Sequence, residues 1–216
     1  MEHPLSPAAH AVAIGDDLVF LQVMRDAYLC VPGAPGRLSL SRDGGAVALE
    51  DPALLASLLA AGLVGGAGPR LGVTPPPPPA QSAVTGEGPA PGWPDATRLL
   101  RAMVDAGLGY GGRPLAALVR GVRPAGVPPP SGAPSPELLA EAARFHAWIP
   151  YAPLPGKCLL RSFLLLRALR RRGHDAAWVF AVRTWPFRAH CWLQAGDVVL
   201  DDHHERLVAY HPIMAV

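Results

Sequence analysis

The segment from residue 156 to residue 202 constrains the fold most, because it predicts a helix followed by three strands. Cys158 stands at the start of the predicted helix, and Leu159 to Arg172 carries apolar residues at helical spacing. Ala177 to Val182 predicts a buried strand, and two further short runs flank Ala195-Gly196-Asp197, which is typical of a hairpin turn. This order predicts an α+β domain with a buried helix.

Three residues of this segment form an ordered set that suits acyl transfer through a cysteine: Cys158, His190 and Asp202. The N-terminus of a helix lowers the pKa of a thiol placed there, so that the thiolate forms near neutral pH. A histidine on a following strand can accept the thiol proton, and a carboxylate can orient that histidine. We therefore predict that these three residues are catalytic.

The acidic member of the set depends on the register of the predicted hairpin. A two-residue loop would place His190 opposite either Asp201 or His203, depending on which two residues form it. Only a three-residue loop would place His190 directly opposite Asp202, with Cβ atoms about 4.5–5.5 Å apart. Residue propensities do not choose the loop length, so both aspartates stay candidates for the orienting acid.

The other cysteines and histidines are expected to have structural roles. Cys191 follows His190 on the same predicted strand and should face the opposite side, and Cys30 lies in a strand-like run, so both are expected in the core. Three histidines near the C-terminus neighbour acidic residues, but their spacing fits no strong zinc pattern. No metal site is predicted.

The first part of the chain predicts a separate small domain joined by a spacer. Short strand signals between residues 11 and 41 precede a helix with Asp51 as N-cap, Pro52 at its first position and Gly62 after its end. Residues 65–92 contain five consecutive prolines and predict a semi-rigid extended spacer. The predicted domains are residues 1–68 and 93–216, with residues 69–92 as a Pro/Gly-rich linker.

Two helical regions are predicted ahead of the cysteine segment. Residues 95–122 have helical character that is interrupted at residues 107–114. Pro136 to Trp148 predicts a continuous helix that ends before Pro150.

Composition excludes several classes of protein. A net charge of +2 argues against a dedicated nucleic-acid binder, and no apolar stretch reaches the ~18 residues of a membrane span. The first residues lack the basic start and apolar run of a signal peptide. Three cysteines far apart in sequence do not predict a disulfide framework, which indicates a reducing cytoplasm.

Several short motifs resemble those of one known family. These are Lys157-Cys-Leu-Leu-Arg-Ser162, Arg-Arg-Arg-Gly173 and Pro186-Phe-Arg-Ala-His-Cys-Trp192. Together they resemble the lasso-peptide biosynthesis B proteins, which are transglutaminase-like leader peptidases, over about residues 136–216. The resemblance implies a papain/transglutaminase-like cysteine protease domain. It also implies that Cys158 is the nucleophile, His190 the base and Asp202 the orienting acid. Cys191 departs from the family pattern, in which a small residue such as alanine is usual.

The first domain is similar to the leader-recognition element of such pathways, a small winged-helix module. Residues 16–22 and 28–31 carry this similarity. The module captures a leader peptide as an added strand beside its sheet, through backbone hydrogen bonds and side-chain pockets. The peptide-binding residues implied here are Leu18, Phe20, Tyr28 and Leu29. A small packing domain without a ligand remains the alternative.

The resemblance implies a cysteine peptidase that removes the leader from a ribosomally made lasso precursor peptide. The freed core would pass to an asparagine-synthetase-like cyclase. The N-terminal domain would hold the leader and raise the local concentration of the scissile bond through the proline linker. No cofactor is expected on this chain, and the ATP of the coupled process is assigned to the cyclase. Two alternatives stay open, which are transglutaminase-type transfer to an amine and a non-catalytic leader-binding adaptor.

Overall fold

The computed structural model describes residues 1–84, 110–151 and 158–216, together with residues 97, 100, 101, 103 and 104. Much of the predicted helical region 95–122, the end of the predicted spacer and the loop before Cys158 therefore lie outside the described residues. In the part of the chain that is described, none of the helices combines the length and the apolarity needed to cross a bilayer.

The N-terminal part consists of two three-stranded antiparallel sheets and one helix. In chain order the elements are β1 (Glu2–Pro4), β2 (Ala9–Ile14), β3 (Asp17–Gln22), β4 (Ala27–Val31), β5 (Leu38–Leu40), β6 (Ala46–Leu49) and α1 (Pro52–Ala60). One sheet has the order β2-β3-β4 and the other β1-β6-β5. The predicted start of α1 is confirmed, because the Asp51 carboxylate accepts the N–H groups of Ala53 and Leu54. With one helix in residues 1–68, the predicted winged-helix architecture is not confirmed.

The C-terminal part is a five-stranded sheet with helices packed on it. Its elements are β7 (Gln81–Ser82), α2 (Leu115–Val122), α3 (Pro136–Trp148), α4 (Cys158–Arg170), β8 (Ala177–Arg183), β9 (Arg188–Ala195), β10 (Val198–Val199), α5 (His204–Leu207) and β11 (His211–Ala215). The strand order is β11-β8-β9-β10-β7, and only the β10–β7 pair is parallel. The predicted helix over Pro136–Trp148 and the predicted strand from Ala177 are confirmed.

Helix α4 lies in the largest of the three hydrophobic cores that the described residues form. Its apolar residues recur at helical spacing, and Phe163, Leu166 and Leu169 are among those buried there. The helix ends before Gly173, whose φ of 79° is the left-handed conformation that glycine adopts without strain. The same core takes residues from α2, α3 and one face of the β8–β9 hairpin. This packing fixes the first residue of α4, Cys158, against the sheet.

Strand β3 connects the two parts of the protein because both of its faces are buried. Leu18 and Phe20 point into a core between the N-terminal sheets and α1. Leu21, together with Val23 just after the strand, belongs to the larger core around α4. The N-terminal sheets therefore share a core with the C-terminal part.

The first half of the predicted spacer is packed against the C-terminal sheet. Val73 forms a bridge with Ala215 at the β11 edge, and β7 pairs with β10 at the opposite edge. Between them, the side chain of Gln194 donates a hydrogen bond to the carbonyl of Pro77 at 2.8 Å. Residues 73–82 thus cross the sheet face opposite α4 and form a strap.

The shared core predicts that a cavity in β3 will destabilise the C-terminal part. Leu21→Ala should lower the free energy of unfolding by about 2–5 kcal/mol, because a buried leucine is truncated. All five tryptophans lie at or after position 93, so tryptophan fluorescence in a urea titration reports on the C-terminal part. Leu59→Ala on α1, where the side chain is 53% exposed, is the matched control and should change little. An unchanged tryptophan transition in Leu21→Ala would show that the two parts unfold independently.

Candidate active site

The candidate site is built at the place where β10 stops pairing with β9. The last ladder contact on this side is the N–H of Leu200 donating to the carbonyl of Leu193 at 2.8 Å. Beyond it, the first turns of α4 take the place of a strand at the edge of β9. The hydroxyl oxygen of Ser162 lies 3.4 Å from the carbonyl oxygen of Cys191. The site therefore occupies an edge of β9 that β10 leaves free.

The carboxylate of Asp201 holds this junction together. One oxygen accepts the N–H of Leu193 at 2.7 Å, and the other accepts the hydroxyl of Ser162 at 2.5 Å. Burial raises the pKa of Asp201, although the charge of Arg161 and the two hydrogen bonds oppose the shift. Asp201 thus ties β9 to α4 through Leu193 and Ser162.

Asp202 is the aspartate that bonds to the histidine. Its Oδ2 lies 2.7 Å from Nε2 of His190. Ala195 pairs with Val198, so the hairpin loop has two residues. The expectation that this loop would set His190 opposite His203 is wrong, because β10 ends at Val199 and the chain leaves the ladder, which lets Asp202 fold back toward the imidazole.

Asp202 is surrounded by groups that stabilise its charge. Its Oδ1 accepts the backbone N–H of His203 at 2.8 Å, and an Arg161 nitrogen lies 3.3 Å from Oδ2. Burial alone would raise the pKa of Asp202, but the bond from His190, the bond from His203 and the Arg161 charge outweigh it and lower the pKa to about 2. Asp202 is therefore ionised at neutral pH.

His190 lies between its acidic partner and the thiol. Its ring packs 5.3 Å from the ring of Tyr210, between centroids. Burial would lower the pKa of His190, but hydrogen bonds to Asp202 and Cys158 and the negative charges of both raise it to about 9. Because Nε2 of His190 bonds to Asp202, the other ring nitrogen, Nδ1, is available to bond to the sulfur of Cys158. The imidazole is therefore protonated at neutral pH when the thiol is ionised.

Cys158 is ionised by its neighbours. A hydrogen bond from the side chain of Cys191 is the largest cause, and bonds from His190 and the Cys191 backbone act with the His190 charge. Together they outweigh burial and lower the pKa of Cys158 to about 4. The side chains of Cys158 and His190 thus form a thiolate–imidazolium pair at neutral pH.

Cys191 is buried in the core around α4, which confirms its predicted placement. Its pKa is raised well above the ordinary value, with burial as the first cause, so its S–H stays available as a donor. This role was not predicted from the sequence, and neither were the roles of Arg161 and Ser162. Both lie three or four residues after Cys158, a spacing that puts them on the same side of a helix.

The residues predicted to bind a peptide fall into two groups. Leu18 and Phe20 are buried in the N-terminal core and present no surface. Tyr28 and Leu29 lie on β4, which is an edge strand. Leu29 is exposed, and the ring of Tyr28 packs 5.5 Å from that of Phe187.

One histidine after the hairpin, His204, contacts the strap. Nδ1 of His204 lies 2.9 Å from the hydroxyl of Ser82, which also accepts the His204 backbone N–H. Over the described ranges, the structure contains no group of three or more histidine, cysteine or acidic residues arranged to hold a metal ion.

The geometry predicts that Cys191 tunes the reactivity of Cys158. Cys191→Ala removes the S–H donor and should raise the pKa of Cys158 above its value of about 4. The measurement is the pH dependence of iodoacetamide alkylation at Cys158, followed by peptide mass mapping. Cys30→Ala is the matched control, because Cys30 lies on β4 and takes no part in the pair. An unchanged profile in Cys191→Ala would show that the second thiol does not support the thiolate.

Two comparisons with known proteins bear on this geometry. A family model described as transglutaminase-like superfamily matches residues 100–215, which is more than half of the chain and contains all three predicted catalytic residues. Microcin J25-processing protein McjB of Escherichia coli is 44% identical over 45 residues, which cover 21% of this chain and 22% of that protein. The match thus spans about a fifth of the length of this curated relative.

No solved structure matches the chain. The family match and the partial match to McjB support the predicted likeness to the lasso peptide biosynthesis B proteins. The family match covers the helix that begins with Cys158 and both strands of the hairpin that positions His190. The chain belongs to the transglutaminase-like superfamily.

Proposed function

We propose that the protein is a cytoplasmic cysteine peptidase that removes the leader from a ribosomally made lasso precursor peptide. The freed core would pass to an asparagine-synthetase-like cyclase, to which we also assign the ATP of the coupled process. The observation that carries this proposal is the Asp202 carboxylate 2.7 Å from the imidazole of His190, beside a cysteine whose pKa His190 helps to lower. The relative McjB is named as a microcin J25-processing protein, which supports a processing role here.

In the proposed first step, the Cys158 thiolate attacks the carbonyl carbon at the leader–core junction. The carbonyl oxygen becomes an oxyanion, which the N–H groups of the first turn of α4 would stabilise, because they have no partner within the helix. His190 then gives its proton to the departing amine of the core as the C–N bond breaks. The leader remains attached to Cys158 as a thioester.

In the second step, water hydrolyses the thioester. His190, now neutral, accepts a proton from the attacking water, and the carbonyl carbon gains the hydroxyl. The C–S bond breaks and releases the leader with a free carboxyl group. The proton on His190 and the charge on Cys158 restore the starting pair, while Asp202 keeps the imidazole oriented throughout.

Leader capture is proposed at the outer edge of β4. This strand pairs with β3 on one side, and the sheet ends there. An extended peptide can add to such an edge through backbone hydrogen bonds, with alternate side chains directed into pockets. Tyr28 and Leu29 are the predicted binding residues that this edge presents.

The ionised pair favours catalysis over a non-catalytic adaptor. An adaptor has no use for a cysteine whose pKa lies near 4 or for a carboxylate that orients a histidine. Transfer to an amine would instead begin with attack of Cys158 on a glutamine carboxamide, which forms a thioester and releases ammonia, and the mass of the product distinguishes it from hydrolysis.

The triad proposal predicts the loss of cleavage in three single variants. The substrate is the short precursor peptide encoded beside this gene, incubated with and without the neighbouring cyclase and followed by mass spectrometry. Cys158→Ala should abolish leader release, His190→Ala should nearly do so, and the loss in Asp202→Ala should be about two orders of magnitude smaller. Leu59→Ala, whose side chain is 53% exposed on α1, should cleave normally. Leader release by Cys158→Ala would rule out a cysteine peptidase, and a product lighter by ammonia would indicate amine capture.

The contacts of the two adjacent aspartates predict different pH profiles for matched amide variants. Cleavage needs the thiolate and the imidazolium together, so kcat/KM should fall below about pH 4 and above about pH 9. Asp202→Asn removes the charge that raises the pKa of His190, so the alkaline limb should move to lower pH. Asp201→Asn should leave that limb in place, because Asp201 bonds to Leu193 and Ser162. A shift in Asp201→Asn alone would make Asp201 the orienting acid.

A further inference from the structure

A small apolar pocket lies between the N-terminal sheet and the tip of the β8–β9 hairpin. Its volume is about 130 Å³, and its walls are Tyr28 and Cys30 of β4 with Thr184, Trp185 and Phe187 of the hairpin tip. The lining is almost wholly apolar. Sites for whole small molecules measure about 300–1,000 Å³, so this pocket has room for one side chain.

The aromatic walls of this pocket are exposed and yet held in place. Trp185 is 77% exposed and Phe187 is 46% exposed. The indole N–H of Trp185 donates to the Asp17 carboxylate at 2.7 Å, and the Trp185 backbone has a φ of 50°. Large exposed rings in a strained, hydrogen-bonded conformation are already ordered before a ligand arrives, which reduces the entropy cost of binding.

The pocket is continuous with both parts of the proposed substrate path. Tyr28 and Cys30 are alternate residues of β4, so both project from the same face of the open edge strand. Phe187 precedes His190 by three residues, about 10 Å of extended chain. Tyr28 packs against the same core as Cys158. A peptide strand on β4 that reaches Cys158 therefore passes the pocket.

We propose that this pocket is a subsite for one bulky apolar side chain, leucine or an aromatic residue, on the leader side of the precursor peptide. The distance along the strand puts that residue about three positions before the scissile bond. The subsite rests on the proposed peptidase function, and it names Trp185 and Phe187 as specificity-determining residues. The ligand is an extended peptide segment because β4 offers backbone hydrogen bonds beside an apolar cavity.

The experiment measures binding separately from cleavage. Cys158→Ala protein is titrated into the fluorescein-labelled precursor peptide encoded beside the gene, and into an alanine scan of its leader, with fluorescence anisotropy as readout. One bulky apolar leader residue near the cut should weaken binding by at least about tenfold when it is replaced by alanine. The same peptides are tested for cleavage with the active enzyme.

The variants Trp185→Ala and Phe187→Ala, in the same Cys158→Ala background, test whether the pocket causes the preference for an apolar leader residue. Both side chains are exposed, so the fold should survive their removal. Each variant should bind the intact leader at least about fivefold more weakly than the Cys158→Ala protein does. For the peptide in which alanine replaces the apolar leader residue, each variant and the Cys158→Ala protein should have the same affinity. Leu59→Ala, a large exposed apolar residue on α1, is the matched control and should keep the full preference.

The outcomes separate the subsite from the peptidase proposal. A preference that disappears in both hairpin variants and persists in Leu59→Ala supports the subsite. A leader scan without any apolar preference, or a preference that both hairpin variants retain, overturns it. A preference that follows the pocket in binding, while the active enzyme cleaves no peptide, keeps the subsite and refutes the proposed peptidase.

Discussion

The rest of the site depends on the carboxylate of Asp201, which replaces the strand that β10 does not supply. A buried N–H without a partner costs about 1–3 kcal/mol, and Asp201 gives the N–H of Leu193 its acceptor. The second oxygen accepts the hydroxyl of Ser162 and so ties α4 to the same edge. The chain turn that puts Asp201 in this position also delivers Asp202 to His190, and the tie to α4 brings Cys158 beside Cys191.

Two adjacent aspartates therefore have opposite environments. Asp201 is enclosed by protein, and burial raises its pKa, whereas Asp202 keeps a pKa of about 2 through His190, the His203 N–H and Arg161. One carboxylate holds the junction and the other holds the imidazole. Environments that separate the pKa values of neighbouring groups in this way are how one fold assigns them different tasks.

Local signals in the sequence predicted the parts of the fold that local chemistry determines. Asp51 caps α1 through its own side chain, and the apolar spacing of α4 indicated its buried face. The hairpin register alone did not decide between Asp201 and Asp202 as the partner of His190, because strand periodicity does not show where β10 ends. The strap was missed because a run of prolines lacks the N–H donors of a strand, while its contacts depend on Val73 and Gln81 on either side.

The shared core changes how the two parts of the protein work together in the proposed reaction. A flexible linker would raise the concentration of the scissile bond near Cys158 without fixing its position. Here β3 is packed on both faces. The indole N–H of Trp185, at the tip of the β8–β9 hairpin, donates to the carboxylate of Asp17 on β3. These contacts hold the edge of β4 at a fixed distance from Cys158. A leader bound along that edge would present one particular peptide bond to the thiolate. The register of the leader on β4, more than its affinity, would then determine where the precursor is cut.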